Sequence, residues 1–176
     1  MRGRAIGSWW HLARRFFEVA TAGPLDDSEG AQVASWLRST EERGLFCEQP
    51  IADQRHAYRA AGRIHGLAPD RLDLIRAALF HDVGKRHSGL GIFRRSIASA
   101  MMKLGLPLRG KSAAYVDHGR LGAGELEALG CERVVVEFAR HHHDGRPSEI
   151  SVGDWRLLEM ADHPGKPPHP QPPAIR

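Results

Sequence analysis

The sequence predicts an all-α protein in which a helical domain carries a helical extension at its N-terminus. Apolar residues recur at helical spacing along most of the chain, and no segment shows the two-residue alternation of a half-buried strand. Hydrophobic residues make up 41% of the 176 residues, which is enough for one compact core. Charged residues make up 26% and are mixed in sign, so the composition excludes disordered and fibrous classes.

The N-terminal extension is predicted to span residues 1–49 and to pack on the domain. Its first helix, Trp9–Ala20, combines four aromatic residues with two arginines. We favour packing of this amphipathic helix on the domain, and contact with a membrane surface is the alternative. A second helix follows the polar start Asp26–Glu29 and places Val33 and Trp36 on one face.

The domain itself is predicted to span residues 50–163. Apolar spacing of three and four residues indicates six helical segments: Ala57–Ile64, Leu72–Leu79, Phe93–Leu104, His118–Leu129, Glu132–His143 and Val152–Ala161. Pro69 and Asp70 are expected to open the second of these, because proline is tolerated in a first turn and aspartate caps helices well. The tail at residues 164–176 contains six prolines and is predicted to be disordered.

Charge and cysteine content limit the function classes. Lys and Arg total 25 against 21 Asp and Glu, a modest excess that favours phosphate-bearing ligands without predicting nucleic-acid binding. Cys47 and Cys131 are far apart, which argues against a disulfide framework and a cysteine zinc site. No apolar run reaches the about 18 to 20 residues of a membrane-spanning helix, so we expect no transmembrane segment. The two distant cysteines favour the reducing cytoplasm as the compartment of the protein. The oligomeric state stays open.

Histidine is over-represented, with 11 copies in the chain. His81 and Asp82 directly follow the strongly apolar segment Leu72–Phe80, so we expect both side chains in the interior. A buried carboxylate beside an imidazole needs a compensating charge, and a metal ion supplies it well. Placement on inward helix faces or at helix ends selects seven candidate metal ligands: His56, His81, Asp82, His118, His142, His143 and Asp162.

Helical phase supports the later members of this set. Residues four apart lie on nearly the same face of a helix. Val134 and Phe138 are followed four residues later by His142, and Val135 and Ala139 are followed by His143 in the same way. Asp162 falls on the buried stripe of the last predicted helix. Five other histidines lack such a phase and are expected at the surface: His65, His87, His141, His163 and His169.

The candidate ligands, in their order, resemble the HD-domain superfamily of metal-dependent phosphohydrolases. The family pattern is a histidine, then an HD pair, then a later aspartate. Here these are His56, the pair His81 and Asp82 in the segment HDVGK, and Asp162. The resemblance covers about residues 50–163 and implies the helical bundle of an HD domain.

Two further blocks resemble the two-metal branch of this superfamily, which includes the HD-GYP cyclic dinucleotide phosphodiesterases and bacterial dinucleoside tetraphosphate hydrolases. They are HGRLGA, which begins at His118, and HHD, which begins at His142 and has Asp in place of Glu. The segment Asp144–Pro147 lacks the GYP signature, so the sequence does not support specificity for cyclic-di-GMP. Ala52 stands where some three-metal relatives carry an acidic residue.

The resemblance implies two divalent ions held by ligand sets that share Asp82. The first set is His56, His81, Asp82 and Asp162. The second set is Asp82, His118, His142 and His143. Nitrogen and oxygen ligands of this kind suit Fe, Mn, Zn, Co or Ni without choosing between them. Such a site would activate water and stabilise charge on phosphoryl oxygens.

The expected activity is hydrolysis of a phosphomonoester or phosphodiester, with a nucleotide as the expected substrate. Asp82 and Lys85 are the predicted catalytic residues, and Lys85 and Arg86 are predicted to bind substrate phosphate. Lys85 lies about one turn beyond His81. Nucleic acid is not predicted as a partner.

Two other functions use the same scaffold. Some HD-fold proteins are di-iron oxygenases, whose four histidines and two aspartates are also contained in this sequence. The adjacent His142 and His143 favour hydrolysis, and substrate-dependent oxygen consumption would distinguish the two. A non-catalytic nucleotide-binding module would be favoured if ligands were missing, but all seven are present.

Overall fold

The computed structural model describes residues 23–89, 110, 112 and 116–164, which form seven α-helices and one 3₁₀ helix without a β-strand. This confirms the all-α prediction. The α-helices are α1 Asp27–Trp36, α2 Thr40–Cys47, α3 Ile51–Leu67, α4 Leu72–Phe80, α5 His118–Ala128, α6 Arg133–His141 and α7 Val152–Asp162. The 3₁₀ helix Val83–Ser88 follows α4. The predicted helices at Trp9–Ala20 and Phe93–Leu104, and the tail after Pro164, lie outside the described residues.

Helix α4 lies at the centre of the fold. It packs against α1, α3, α6 and α7, and every residue from Leu74 to Phe80 is buried. Because the helix is covered on all sides, the residues that follow its last turn are also delivered to the interior. The described helices include none that is long and apolar enough to cross a membrane.

The start of α4 differs from the prediction. The helix begins at Leu72 with Arg71 as its N-cap, so the expectation that Pro69 and Asp70 form its first turn is wrong. The carbonyl of Arg71 accepts hydrogen bonds from the amides of Leu74 and Ile75, each at 3.0 Å, and these are the first bonds of the helix. Pro69 and Asp70 form a separate turn before it.

Helices α1 and α2 cover one side of this core. Asp26 caps α1 with a capping box, since its side chain accepts from the Glu29 amide and the Glu29 carboxylate accepts from the Asp26 amide. Trp36 is buried at the end of α1 and stacks on Tyr58 of α3, with ring centroids 6.1 Å apart. Helix α2, which the sequence analysis did not anticipate, is capped by Ser39. The predicted division at residues 1–49 and 50–163 stays a prediction.

Helix α6 ends earlier than the predicted segment Glu132–His143. His142 is its C-cap, and its amide donates the last helical hydrogen bond to the Phe138 carbonyl at 3.0 Å. The chain then turns, with the Asp144 amide donating to the His141 carbonyl at 2.9 Å. His142 and His143 therefore lie at the end of the helix and not within it.

Three glycines allow the elements around the site to approach closely. A Cβ on Gly84 of the 3₁₀ helix would overlap the carbonyl oxygen of His118, and a Cβ on Gly122 of α5 would lie 2.9 Å from the Gly84 nitrogen. A Cβ on Gly119 would lie 2.8 Å from the carbonyl oxygen of Ala139 in α6. Backbone therefore packs on backbone at both contacts, and the start of α5 is held against the HDVGK segment and the end of α6.

Candidate metal centre

All seven candidate ligands converge on one region of the fold. Six of them contribute ligand atoms to two compact groups, and within each group all atoms lie within 4.8 Å of one another. The first group is His56, His81 and Asp82. The second group is Asp82, His118, His142 and His143. Asp82 belongs to both groups, and Asp162 contacts two members of the first.

The first group is supplied by α3 and the end of α4, and Asp162 approaches it from the end of α7. Oδ1 of Asp162 lies 2.8 Å from Nε2 of His56 and 3.3 Å from Nε2 of His81. Nε2 of His81 also lies 3.4 Å from Oδ2 of Asp82. His81 and Asp82 are buried, whereas His56 is only partly buried, so the group is open on the α3 side.

The second group is supplied by the first residue of α5 and the residues at the end of α6. Nε2 of His118 and Nε2 of His142 lie 3.3 Å and 3.4 Å from Oδ1 of Asp82, and 3.4 Å from each other. The ring of His143 packs on that of His142, with centroids 3.9 Å apart, and is exposed at the rim. Oδ1 of Asp82 therefore faces the second group while Oδ2 faces the first.

Two of the rings are oriented by the helices that carry them. Nδ1 of His81 donates to the Ala78 carbonyl and Nδ1 of His142 donates to the Ala139 carbonyl, each at 2.9 Å. Because a carbonyl only accepts, the proton must lie on Nδ1, and Nε2 of both rings faces the cluster. Phe138 lies against both rings, with centroids 5.9 Å from His81 and 6.0 Å from His142.

The unsatisfied polar atoms at this site fit a bound cation. Nε2 of His81 and Oδ1 of Asp82 are buried and make no well-formed hydrogen bond with any residue that the structure describes. Such atoms are costly in an interior unless a partner is supplied, and both belong to ligand types that divalent transition metals accept. The residues present are therefore compatible with metal binding.

The charges of the buried groups are strongly coupled. Burial would raise the pKa of Asp82, but the nearby Lys85 and His81 hold it well below its usual value. Burial likewise opposes ionisation of Asp162, and His81 and His163 overcome it, so that pKa is also well below its usual value. Both carboxylates are thus ionised and attract a positive charge between them.

The pKa values of the histidines at the site are shifted in two opposite directions. Burial lowers the pKa of His81, but Asp82 and Asp162 outweigh it and the net pKa is well above the usual value. Burial lowers the pKa of His142, and burial together with the neighbouring histidines lowers that of His143 to about 2. These shifts favour the neutral imidazole form of His142 and His143 in the second group. They favour the doubly protonated, positively charged form of His81 in the first group.

We expect the Co²⁺ affinity of chelator-treated protein to rise with pH between about pH 6 and about pH 8, by up to tenfold per pH unit. The pKa of His81 is raised well above its usual value, so a proton must leave its Nε2 before this atom can bind a metal ion. His142 and His143 add little to this dependence because they are already neutral. Spectroscopic Co²⁺ titrations at several pH values test this, and affinity that did not change with pH would contradict it.

Lys85 and Arg86, predicted to bind substrate phosphate, are both engaged within the protein. Nζ of Lys85 forms an ion pair with Oδ2 of Asp82, and Lys85 is only 6% exposed. The guanidinium of Arg86 pairs with Glu125 and lies 3.3 Å from Oε2 of Glu48. The structure thus places Lys85 on the shared carboxylate. Its substrate contact, and that of Arg86, stay predictions.

The other histidines are not all remote from the site. His141 pairs with Glu137 and His87 pairs with Glu125, as expected for residues near the surface. The side chain of His163 is similarly exposed, at 33%, but its Nδ1 also lies 2.8 Å from Oδ2 of Asp162. Sequence reasoning missed it because it has no apolar phase, although its position directly after a candidate ligand was a usable signal. His169 lies outside the described residues.

Comparison with known families agrees with this geometry. A family model described as HD domain matches residues 54–173, which is more than half of the chain, and the matched range contains all seven candidate ligands. No curated protein and no solved structure gives a significant match.

Proposed function

Because this chain belongs to the HD domain family, we propose that it is a phosphohydrolase with a dinuclear metal site and that its substrate is a nucleotide. The family generally comprises metal-dependent phosphohydrolases. One observation carries the dinuclear proposal: the Asp82 carboxylate is shared by two groups of ligand atoms. A single ion would leave the other group of buried imidazoles without a role.

The two ligand sets of the proposal follow these groups. His56, His81, Asp82 and Asp162 would hold the first ion, and Asp82, His118, His142 and His143 would hold the second. Fe, Mn, Zn, Co and Ni all suit this mixture of nitrogen and oxygen ligands. When bound, the pair of ions would activate water and neutralise charge on the phosphoryl group.

The residues of the chain determine how that chemistry is oriented. His81 and His142 present Nε2 because their Nδ1 atoms are held by backbone carbonyls. Lys85 balances part of the negative charge of Asp82 from within the fold. The partly buried His56 and the exposed His143 leave the site open at its rim, so we infer that substrate phosphate enters there.

A substrate panel combined with metal analysis tests the proposal. We expect about two transition-metal ions per chain after purification under metal-replete conditions, and release of phosphate or nucleoside product from a panel of nucleotides and phosphodiesters. Oxygen consumption that depended on an added substrate, with no phosphate chemistry, would instead support an oxygenase. One ion per chain, or none, would contradict the dinuclear site.

His118→Ala is expected to remove the second ion while the first stays bound. His118 contributes only to the second group, and its Nε2 lies 3.3 Å from the shared carboxylate. Hydrolysis should fall by about a hundredfold or more, because charge stabilisation at phosphorus depends on both ions. Metal analysis and steady-state kinetics are the measurements. Two retained ions with full activity would show that His118 is not a ligand.

A further inference from the structure

The two oxygens of the Asp162 carboxylate have different partners. Oδ1 faces His56 and His81 at 2.8 Å and 3.3 Å, whereas Oδ2 lies 2.8 Å from Nδ1 of His163. An ionised carboxylate only accepts hydrogen bonds, so Nδ1 of His163 is the donor. Oδ2 therefore accepts a hydrogen bond from a residue outside the candidate ligands, whereas Oδ1 faces two of the candidate ligands.

The backbone holds His163 in this position. Its amide donates to the Glu159 carbonyl at 2.9 Å, which makes it the C-cap of α7. The carbonyl of Ala161 accepts from the Arg63 guanidinium of α3 at 2.7 Å. Because α3 also carries His56, this contact fixes the end of α7 relative to another member of the site.

We propose that His163 is a positioning residue for the metal site, which holds Oδ2 of Asp162 so that Oδ1 stays directed towards His56 and His81. The inference rests on the proposed metal function and assigns a role to a residue outside the seven candidate ligands. Without this donor the carboxylate can rotate, and holding it in the binding orientation then costs conformational freedom. Loss of a hydrogen bond to a metal ligand typically weakens metal binding by about 10-fold to 100-fold.

The test is a Co²⁺ titration of full-length, chelator-treated protein followed by absorbance. In His163→Ala, we expect the affinity of one binding step to fall by about 10-fold to 100-fold while the other step is unchanged. In His163→Asn, the side-chain amide nitrogen branches from the same carbon position as Nδ1 and can donate to Oδ2, so most of the affinity should return. A residue that only stabilised the helix end would show no such rescue.

His87→Ala is the matched control. The His87 side chain is 39% exposed against 33% for His163, and it also pairs with a carboxylate, Glu125, which is not a candidate ligand. We expect its Co²⁺ affinities to equal those of the unmodified protein. Thermal unfolding of each chelator-treated variant shows whether the fold is retained.

A double-mutant cycle shows whether His163 acts through Asp162. If it does, His163→Ala should have no further effect on Co²⁺ binding in an Asp162→Ala background. Additive losses would overturn the proposal, as would unchanged affinity in folded His163→Ala or failure of His163→Asn to rescue a folded protein. Absence of Co²⁺ binding by the unmodified protein would overturn the metal site itself, an outcome distinct from these.

Discussion

Asp82→Ala is expected to remove both metal ions, or to leave one weakly held, and to lower hydrolysis by about a thousandfold or more. Oδ1 of Asp82 faces His118 and His142, and Oδ2 faces His81, so the substitution removes a ligand from both groups together with the charge between them. Loss of several kcal/mol of transition-state stabilisation corresponds to rate losses of this size. Elemental analysis and steady-state hydrolysis by the purified variant are the measurements.

Two further variants make this result interpretable. Asp82→Asn keeps the size of the side chain and removes its charge, so it reports on metal binding if the alanine variant folds poorly, and we expect it to lose at least one ion. Asp73→Ala removes a carboxylate at the other end of α4, where it pairs with Arg71, and should keep both ions. A folded Asp82→Ala protein that retained two ions would contradict the shared-ligand arrangement.

Gly84→Ala is expected to destabilise the protein by about 3 kcal/mol or more, at the upper end of the range for overpacking. The new methyl group would overlap the His118 carbonyl oxygen and lie 2.7 Å from the Gly122 nitrogen. Both are backbone atoms, which cannot rotate away as a side chain can. If the variant folds, α5 must shift and carry His118 away from Asp82, so metal binding at the second group should weaken as well. Urea unfolding and Co²⁺ titration measure the two effects.

Gly124→Ala provides the control, on the helix α5 that Gly84 packs against. A Cβ at Gly124 of α5 meets no atom within 4 Å, and the residue is exposed. Alanine is the better helix former, so this substitution should stabilise the protein by up to about 1 kcal/mol. A Gly84→Ala protein within about 1 kcal/mol of the unmodified protein would show that the backbone contact relaxes at little cost.

Helix periodicity predicted six of the seven described α-helices, all but α2, but it predicted their ends less well. The segment from Leu72 to Phe80 was recognisable as buried because it is nearly all apolar, and it is the central helix. Its start was mispredicted, because Pro69 and Asp70 suit a first turn as well as they suit the turn before the helix. The end of α6 was predicted two residues beyond its observed end. The helical spacing of the sequence pattern continues through His142 and His143, although the helix ends at His141.

The direction of the Lys85 side chain could not be predicted from the sequence. Its spacing from His81 placed it near the site, but the same spacing suits a side chain that reaches outward to phosphate and one that turns back to Asp82. The structure has the second arrangement, with the ion pair buried. Side-chain direction at this point depends on the 3₁₀ helix packing against α5, which no local pattern encodes.

The all-α class and the seven candidate ligands could be predicted from the sequence, because apolar spacing and the order of the HD motif are both visible along the linear chain. The resemblance also implied that both ligand sets share Asp82, but the packed fold was needed to show which of its oxygens faces each group, that His163 contacts Asp162, and that the backbones of Gly84 and Gly122 touch. The contacts of Asp82 and of the two glycines join different helices or the residues at their ends, whereas His163 and Asp162 are adjacent in sequence at the end of α7. The distances between helices depend on how closely the helices pack, which becomes determined only when the whole core is assembled.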